Sequence, residues 1–153
     1  MATRKKLTET GTPPSRSNSL VDRLDLFAIG LDSISANLDR SNYAKAYYSK
    51  GKDHLKRSFD SRYEVSKYSK EHFDVTATLS LRINVVESEK PILALDVKVS
   101  GHFHPTKSMS RNEADGFAGA EAKLIFWPYL RQIVSDTTAR MHIGTITLPL
   151  IVS

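Results

Sequence analysis

The sequence predicts an α+β fold, a four-stranded antiparallel sheet covered on one face by C-terminal helices. Three observations carry this reading. Phe73, Val75, Ala77, Leu79, Leu81, Ile83 and Val85 alternate strictly with polar residues, the period of a strand with one buried and one wet face. Leu93, Leu95, Val97, Val99, Gly101 and Phe103 repeat the pattern after a turn at Glu87-Ser88-Glu89-Lys90-Pro91, which makes an antiparallel hairpin. The period then changes. Phe126, Leu130, Ile133, Val134 and Met141 recur at helical spacing, so a helix with one apolar face follows and needs a flat apolar surface to cover.

The other elements follow in chain order. Residues 1–19 are rich in Thr, Ser, Pro and charge, with Arg4, Lys5, Lys6 and Pro13-Pro14. Too little there is apolar to offset ordering entropy, so a disordered basic tail is expected, ahead of a single domain over 20–153. In the stretch Leu24–Leu38, Phe27, Ile29 and Leu31 alternate and Ile34 slips, which predicts the first strand with a bulge near Asp32-Ser33. Leu20, Leu24, Phe27 and Leu31 fit helical spacing equally, so a helix competes there.

Residues 39–60 are polar, basic and tyrosine-rich and read as a long connection with room for a short helix. A second, weaker strand runs from Tyr63 to about His72, marked by Tyr63, Val65 and Tyr68. The third strand, Phe73 to Val85, is the clearest, and at ~3.3 Å per residue it spans about 43 Å. Ser110 and Glu113 have capping-box spacing, and Gly116 and Gly119 predict that the helix they open is short. Pro128 either opens the main helix or kinks one begun earlier. Trp127, immediately before it, is pushed towards extended geometry, which predicts a break at this point. Thr145 to Val152 is extended and apolar.

Composition narrows the chemistry. A chain of 153 residues can bury a real core in one domain. It has no cysteine, which excludes disulfides, thiol catalysis and thiolate metal sites and fits a reducing, cytoplasmic setting. No apolar run approaches the ~18 residues of a membrane span, and no apolar region follows the basic residues near the start, so neither membrane insertion nor a secretory signal is expected. The formal charge is +5 and the pI is near 9.5. The basic residues are spread out, with concentrations at 4–6 and 45–57 and no nucleic-acid motif beside them. A nucleic-acid or assembly module using the basic 39–60 segment is therefore the alternative and not the first reading.

Catalytic constellations are not apparent. His102 and His104 lie two apart on one strand face, but nothing fixes further ligands beside them, so no metal site is expected. His142 stands near a helix end, where a cation is favourable. There is no Gly-rich phosphate loop and no Gly-x-Ser-x-Gly elbow. The expectation is a protein without catalysis and without a cofactor. Tyr43, Tyr47, Tyr48, Leu55 and Phe59 lie in a segment with nothing obvious to bury them; exposed tyrosines suit adaptable contact with polypeptide, and the equal alternative is that they pack down on the core or lie disordered.

The stretch Leu124-Ile125-Phe126-Trp127-Pro128-Tyr129-Leu130-Arg131, followed by Ile146-Thr147-Leu148-Pro149-Leu150, resembles the signature of the SecB family of export chaperones. Its Trp-Pro-Tyr form is most similar to the SecB-like chaperones of toxin–antitoxin–chaperone systems. The resemblance covers roughly residues 24–152. It implies a holdase that binds unfolded polypeptide clients in apolar grooves and assembles as a homotetramer, a dimer of dimers. It also implies a partner that is either a translocase motor or an antitoxin-like client. The client-binding residues it points to are Phe126, Trp127 and Tyr129 on the motif itself. Tyr43, Tyr47, Tyr48, Phe59, Tyr63 and Val65 are added by topology. Two features depart from the family pattern. This chain is basic, with no acidic docking cluster on its strands, and it stops just after the Leu-Pro stretch without the family's C-terminal helix. Both favour a specialised SecB-like chaperone over a general export factor.

Overall fold

The computed structural model describes residues 19–150; the expected disordered tail falls almost wholly outside them. Strand β1 (Leu24–Leu38) follows a single 3-10 turn, and α1 (Arg40–Lys50) follows β1. Strands β2 (Leu55–Tyr68), β3 (Phe73–Val85) and β4 (Pro91–Pro105) come next, then helices α2 (Arg111–Ala120) and α3 (Ala122–Arg140). The four strands form one sheet in the order β1-β4-β3-β2, with antiparallel neighbours throughout. β1 therefore lies beside β4 as in a Greek key, and β1 and β2 are the two edges.

β1 matches its expected range, and the register slips between Leu31 and Ser33, where the alternation breaks in the sequence. A second slip falls between Leu26 and Ala28, which the pattern did not mark. The competing helix over Leu20–Leu31 does not form beyond the 3-10 turn Leu20–Arg23, because the backbone from Leu24 is committed to pairing with β4.

The connection from β1 to β2 must pass from one edge of the sheet to the other. α1 does this over the β3–β4 turn. Its Asp39 cap accepts from the Asn42 amide. The segment is tied down on both sides, by Asp39 N–H to the Ile92 carbonyl and by Val86 N–H to the His54 carbonyl, each at 2.9 Å. The second strand corrects the sequence reading. It starts at Leu55 and not Tyr63, and it ends at Tyr68. Phe59 is thus a strand residue and not part of the connection. An edge strand buries little, so its first half carries no apolar alternation, and only its register with β3, Leu55 opposite Val85, makes it a strand.

The core lies between the sheet and the two C-terminal helices. Phe73, Val75, Ala77, Leu79, Leu81 and Ile83 of β3 and Leu93, Leu95, Val97, Val99 and Phe103 of β4 are all buried on that face. The opposite face is mostly open, but not wholly wet as expected. Asp74 and Thr76 are buried there, shielded by ties across the strands. Asp74 pairs with His102, and Thr76 bonds Ser100, which in turn donates to Asp32.

α2 begins with the expected capping box. Ser110 Oγ accepts from the Glu113 amide and Glu113 Oε2 from the Ser110 amide. α2 lies against β2, and α3 against β3 and β4. The helix stripe is buried as expected at Phe126, Leu130 and Val134, while Ile133 and Met141 are half-buried. The expected break at Trp127-Pro128 is absent: α3 starts at Ala122 and runs through Pro128. The bond lost to Pro128 is the one to the Leu124 carbonyl. Both residues are exposed, so water can serve that carbonyl.

Glu121 joins the two ends of this layer. It accepts from Ser19 Oγ at 2.6 Å and from the amides of Leu20 and Val21. Burial alone would raise its pKa, but these three bonds outweigh it and leave the carboxyl below its ordinary value.

Candidate functional site

Gly101 sets how closely α3 approaches the sheet. The Phe126 ring lies over it, and a Cβ built there would meet the ring at 2.9 Å. Phe126 and Phe117 then close on Phe103 and Phe73 with ring centroids 5.0–6.1 Å apart. This holds the start of α3 beside the β2 edge, and an apolar groove of about 220 Å³ opens between them. Its walls are Phe59, Ser61 and Tyr63 of β2, Lys123 and Trp127 of α3, and Pro149 and Leu150. Phe59 faces Trp127 at 5.8 Å and Tyr63 faces Phe126 at 6.3 Å. Phe59 is 45% exposed. Burial pushes the Tyr63 phenol above its ordinary pKa, with the Ser61 hydroxyl opposing, so this wall stays neutral.

A second groove, about 440 Å³, lies towards the other end of α3. Tyr43, Tyr47 and Tyr48 of α1 line it together with Leu38, Arg40, Ala44 and residues 142–144. Tyr43 stacks on Tyr47 at 6.0 Å and Tyr47 meets Tyr48 edge-on at 5.4 Å. Tyr48 is 85% exposed. Tyr43 Oη donates to the Ile143 carbonyl and Arg40 Nη1 to the Met141 carbonyl, both at 3.0 Å. The tyrosines are therefore neither fully packed down nor loose.

Residues 142–150 connect the grooves. The chain turns back after α3 with His142 and Gly144 at positive φ, the left-handed conformations that end a helix. It then runs antiparallel to α3 without joining the sheet. The Ile146 amide donates to Thr138 Oγ1 at 2.9 Å. Arg131 Nε donates to the Leu148 carbonyl at 2.7 Å, and Trp127 Nε1 to the Pro149 carbonyl at 2.9 Å. Ile146 and Leu148 are buried, while Thr145, Thr147 and Pro149 between and around them are exposed.

The nine expected site residues thus divide. Phe59, Tyr63 and Trp127 share the first groove, and Tyr43, Tyr47 and Tyr48 share the second. Phe126 has no accessible surface and supports the floor of the first groove instead of lining it. Val65 is half-buried further along β2 towards α2, where Arg111 reaches its carbonyl. Tyr129 stands exposed on α3 in neither groove. Sequence reasoning missed Lys123, Leu150, Arg131 and Thr138. The extended, apolar stretch expected from Thr145 is there as far as Leu150, with Ile146 and Leu148 buried, but nothing local says where it lies.

Apolar surface remains outside the grooves. Leu26, Leu31 and Ile34 of β1 sit opposite Phe103, Val99 and Val97 on the helix side of the sheet, yet stay 40–51% exposed. Among the described residues no group of three or more His, Asp or Glu could hold a metal ion. His102 is taken up by Asp74, and His104 by ring contacts with Phe27 and His72. No described helix is long and apolar enough to cross a membrane.

The fold resembles two solved structures. One is the SecB-like chaperone of Mycobacterium tuberculosis in complex with a ChAD peptide from the HigA1 antitoxin, with a TM-score of 0.67 and 18% identity, covering 86% of this chain and 93% of that one. The other is a protein of unknown function from Streptococcus agalactiae, with a TM-score of 0.44 and 10% identity over 83% of this chain and 97% of that one. No curated protein sequence matches this chain. The family model for SecB, the preprotein translocase subunit, matches residues 37–151. With the four-stranded antiparallel sheet and the helices on its apolar face, this shows that the chain belongs to the SecB family.

Proposed function

We propose that this protein is a holdase that binds non-native polypeptide without catalysis, and that its client is a dedicated, antitoxin-like chain. The observation that carries the reading is the groove between Phe59 and Trp127. It is apolar and open, and Phe59, Tyr63 and Trp127 give it aromatic walls. Such walls give contact area at low entropy cost and accept varied partners. The tyrosine groove on α1 supplies a second contact with hydroxyl handles. The Mycobacterium chaperone of similar fold binds an antitoxin peptide, which supports a polypeptide client here. The basic charge of this chain speaks against docking on a partner that selects acidic surfaces. Self-association is part of the proposal, because Leu26, Leu31 and Ile34 on the β1 edge strand are apolar and uncovered.

The test is suppression of aggregation. A denatured, slow-folding client is diluted into buffer with and without the protein, and light scattering is followed at two salt concentrations. Suppression near one oligomer per client that persists at higher salt supports the holdase reading. Failure at several-fold excess, with both a general client and an antitoxin-like one, overturns it. Binding to nucleic acid that falls steeply with salt would favour the basic 39–60 segment instead.

A further inference from the structure

We propose that residues 145–150 are an internal ligand, seated in a channel along α3 that takes an extended client segment in their place. We further propose that the channel reads an aliphatic pair two residues apart. This deepens the chaperone reading and rests on it. The argument starts from how the segment is held. An extended chain normally satisfies its carbonyls by joining a sheet, but this one joins none. Instead Arg131 and Trp127 donate to the carbonyls of Leu148 and Pro149, and Thr138 accepts from the Ile146 amide. All three contacts go to main-chain atoms, which every polypeptide carries. Side-chain identity is read at only two places, the buried Ile146 and Leu148. They are two residues apart because an extended chain turns alternate side chains to one side.

The segment is also placed to be exchanged. Few of its side chains are anchored, Leu150 beyond them is 69% exposed, and Pro149 has no N–H with which to enter a ladder. Residues 142–144 wall the tyrosine groove, and Pro149 and Leu150 wall the groove at Phe59. Lifting 145–150 therefore opens a path along α3 that runs from the groove at Phe59 towards the tyrosine groove, lined by Trp127, Arg131 and Thr138. A client bound there meets Trp127, Arg131 and Thr138 as 145–150 does now.

Two measurements test this. The first uses the unaltered full chain and hydrogen exchange with and without a denatured client. The Ile146 amide is expected to lose protection when client binds, while the amides of α3 keep theirs. Bound client with Ile146 protection unchanged overturns the proposal and leaves the chaperone reading standing. The second uses a fluorescent synthetic peptide spanning residues 144–150. The double variant Ile146→Ser/Leu148→Ser is expected to bind it about tenfold more tightly than the unaltered chain does, since the competing occupant is loosened. A peptide with both aliphatic residues replaced by serine should not bind. Equal or weaker capture by the double variant, or equal binding of the serine peptide, overturns the proposal. Should the double variant fail to fold, the exchange measurement decides. Tight peptide capture with no client bound by the unaltered chain would sink the chaperone reading alone.

Discussion

Trp127 Nε1 donates to the carbonyl oxygen of Pro149 at 2.9 Å. The chain's single tryptophan thereby ties α3 to the extended segment that follows it, and its ring forms a wall of the groove opposite Phe59. Trp127→Phe keeps an aromatic wall but removes the bond and part of the ring, which should cost roughly 1–3 kcal/mol in denaturant unfolding. Trp127→Ala removes a ring that is only 7% exposed and should cost roughly 3–5 kcal/mol. A loss for the phenylalanine variant as large as for the alanine one would show that the hydrogen bond, not the ring, holds the segment.

Phe59 separates binding from stability. It is 45% exposed at a sheet edge, so Phe59→Ser should change unfolding free energy by about 1 kcal/mol or less. Client capture, measured by light scattering, should fall several-fold. Tyr48→Ser makes the same test of the tyrosine groove, because Tyr48 is 85% exposed and contributes little to the core. Unchanged capture in both variants would remove these grooves from the proposed site.

Gly101 is required for packing and not for its backbone angles. A Cβ there would meet the Phe126 ring at 2.9 Å and the Phe103 ring at 3.1 Å, both fully buried. Gly101→Ala should therefore destabilise by about 1–3 kcal/mol through overpacking. Thermal unfolding checks this; a neutral effect would mean that α3 can lift from the sheet without loss.

Thr138 closes the turn after α3. Its buried hydroxyl donates to the Val134 carbonyl and accepts from the Ile146 amide. Thr138→Val conserves shape but leaves that amide unpaired, at a cost of about 1–3 kcal/mol. Hydrogen exchange at Ile146 should accelerate first; unchanged exchange would mean the amide has another partner.

Glu113 gives a pH dependence. The Ser110 amide first, then the Arg23 guanidinium and the Ser110 hydroxyl, hold its pKa down to about 2 from 4.5. A carboxylate depressed in the folded state contributes stability that is complete above its unfolded pKa and is lost as pH falls towards its folded one. The melting-temperature gap between the native chain and Glu113→Gln should be full above about pH 4.5 and close towards pH 2. A gap that is constant across this window would show that the capping box does not depend on the charge.

The sequence by itself determined the elements whose signals are local. Strict alternation placed β3 and β4, a slip in alternation placed the bulge in β1, and Ser110 with Glu113 placed the start of α2. The tertiary structure decided the rest. β2 is polar because it is an edge, so only pairing with β3 reveals its first half and puts Phe59 opposite Trp127. α3 runs through Pro128 where Leu124 and Pro128 are both exposed, so that water can serve the Leu124 carbonyl, and no window of sequence reports that exposure. The tyrosines of α1, the ring of Trp127 and the segment 145–150 lie far apart along the chain. Packing of α3 over Gly101, and the turn back at His142 and Gly144, bring them along α3 as two grooves with the segment running between them. Burial and backbone hydrogen bonding across long sequence separations set that arrangement, and neither is written in any local pattern.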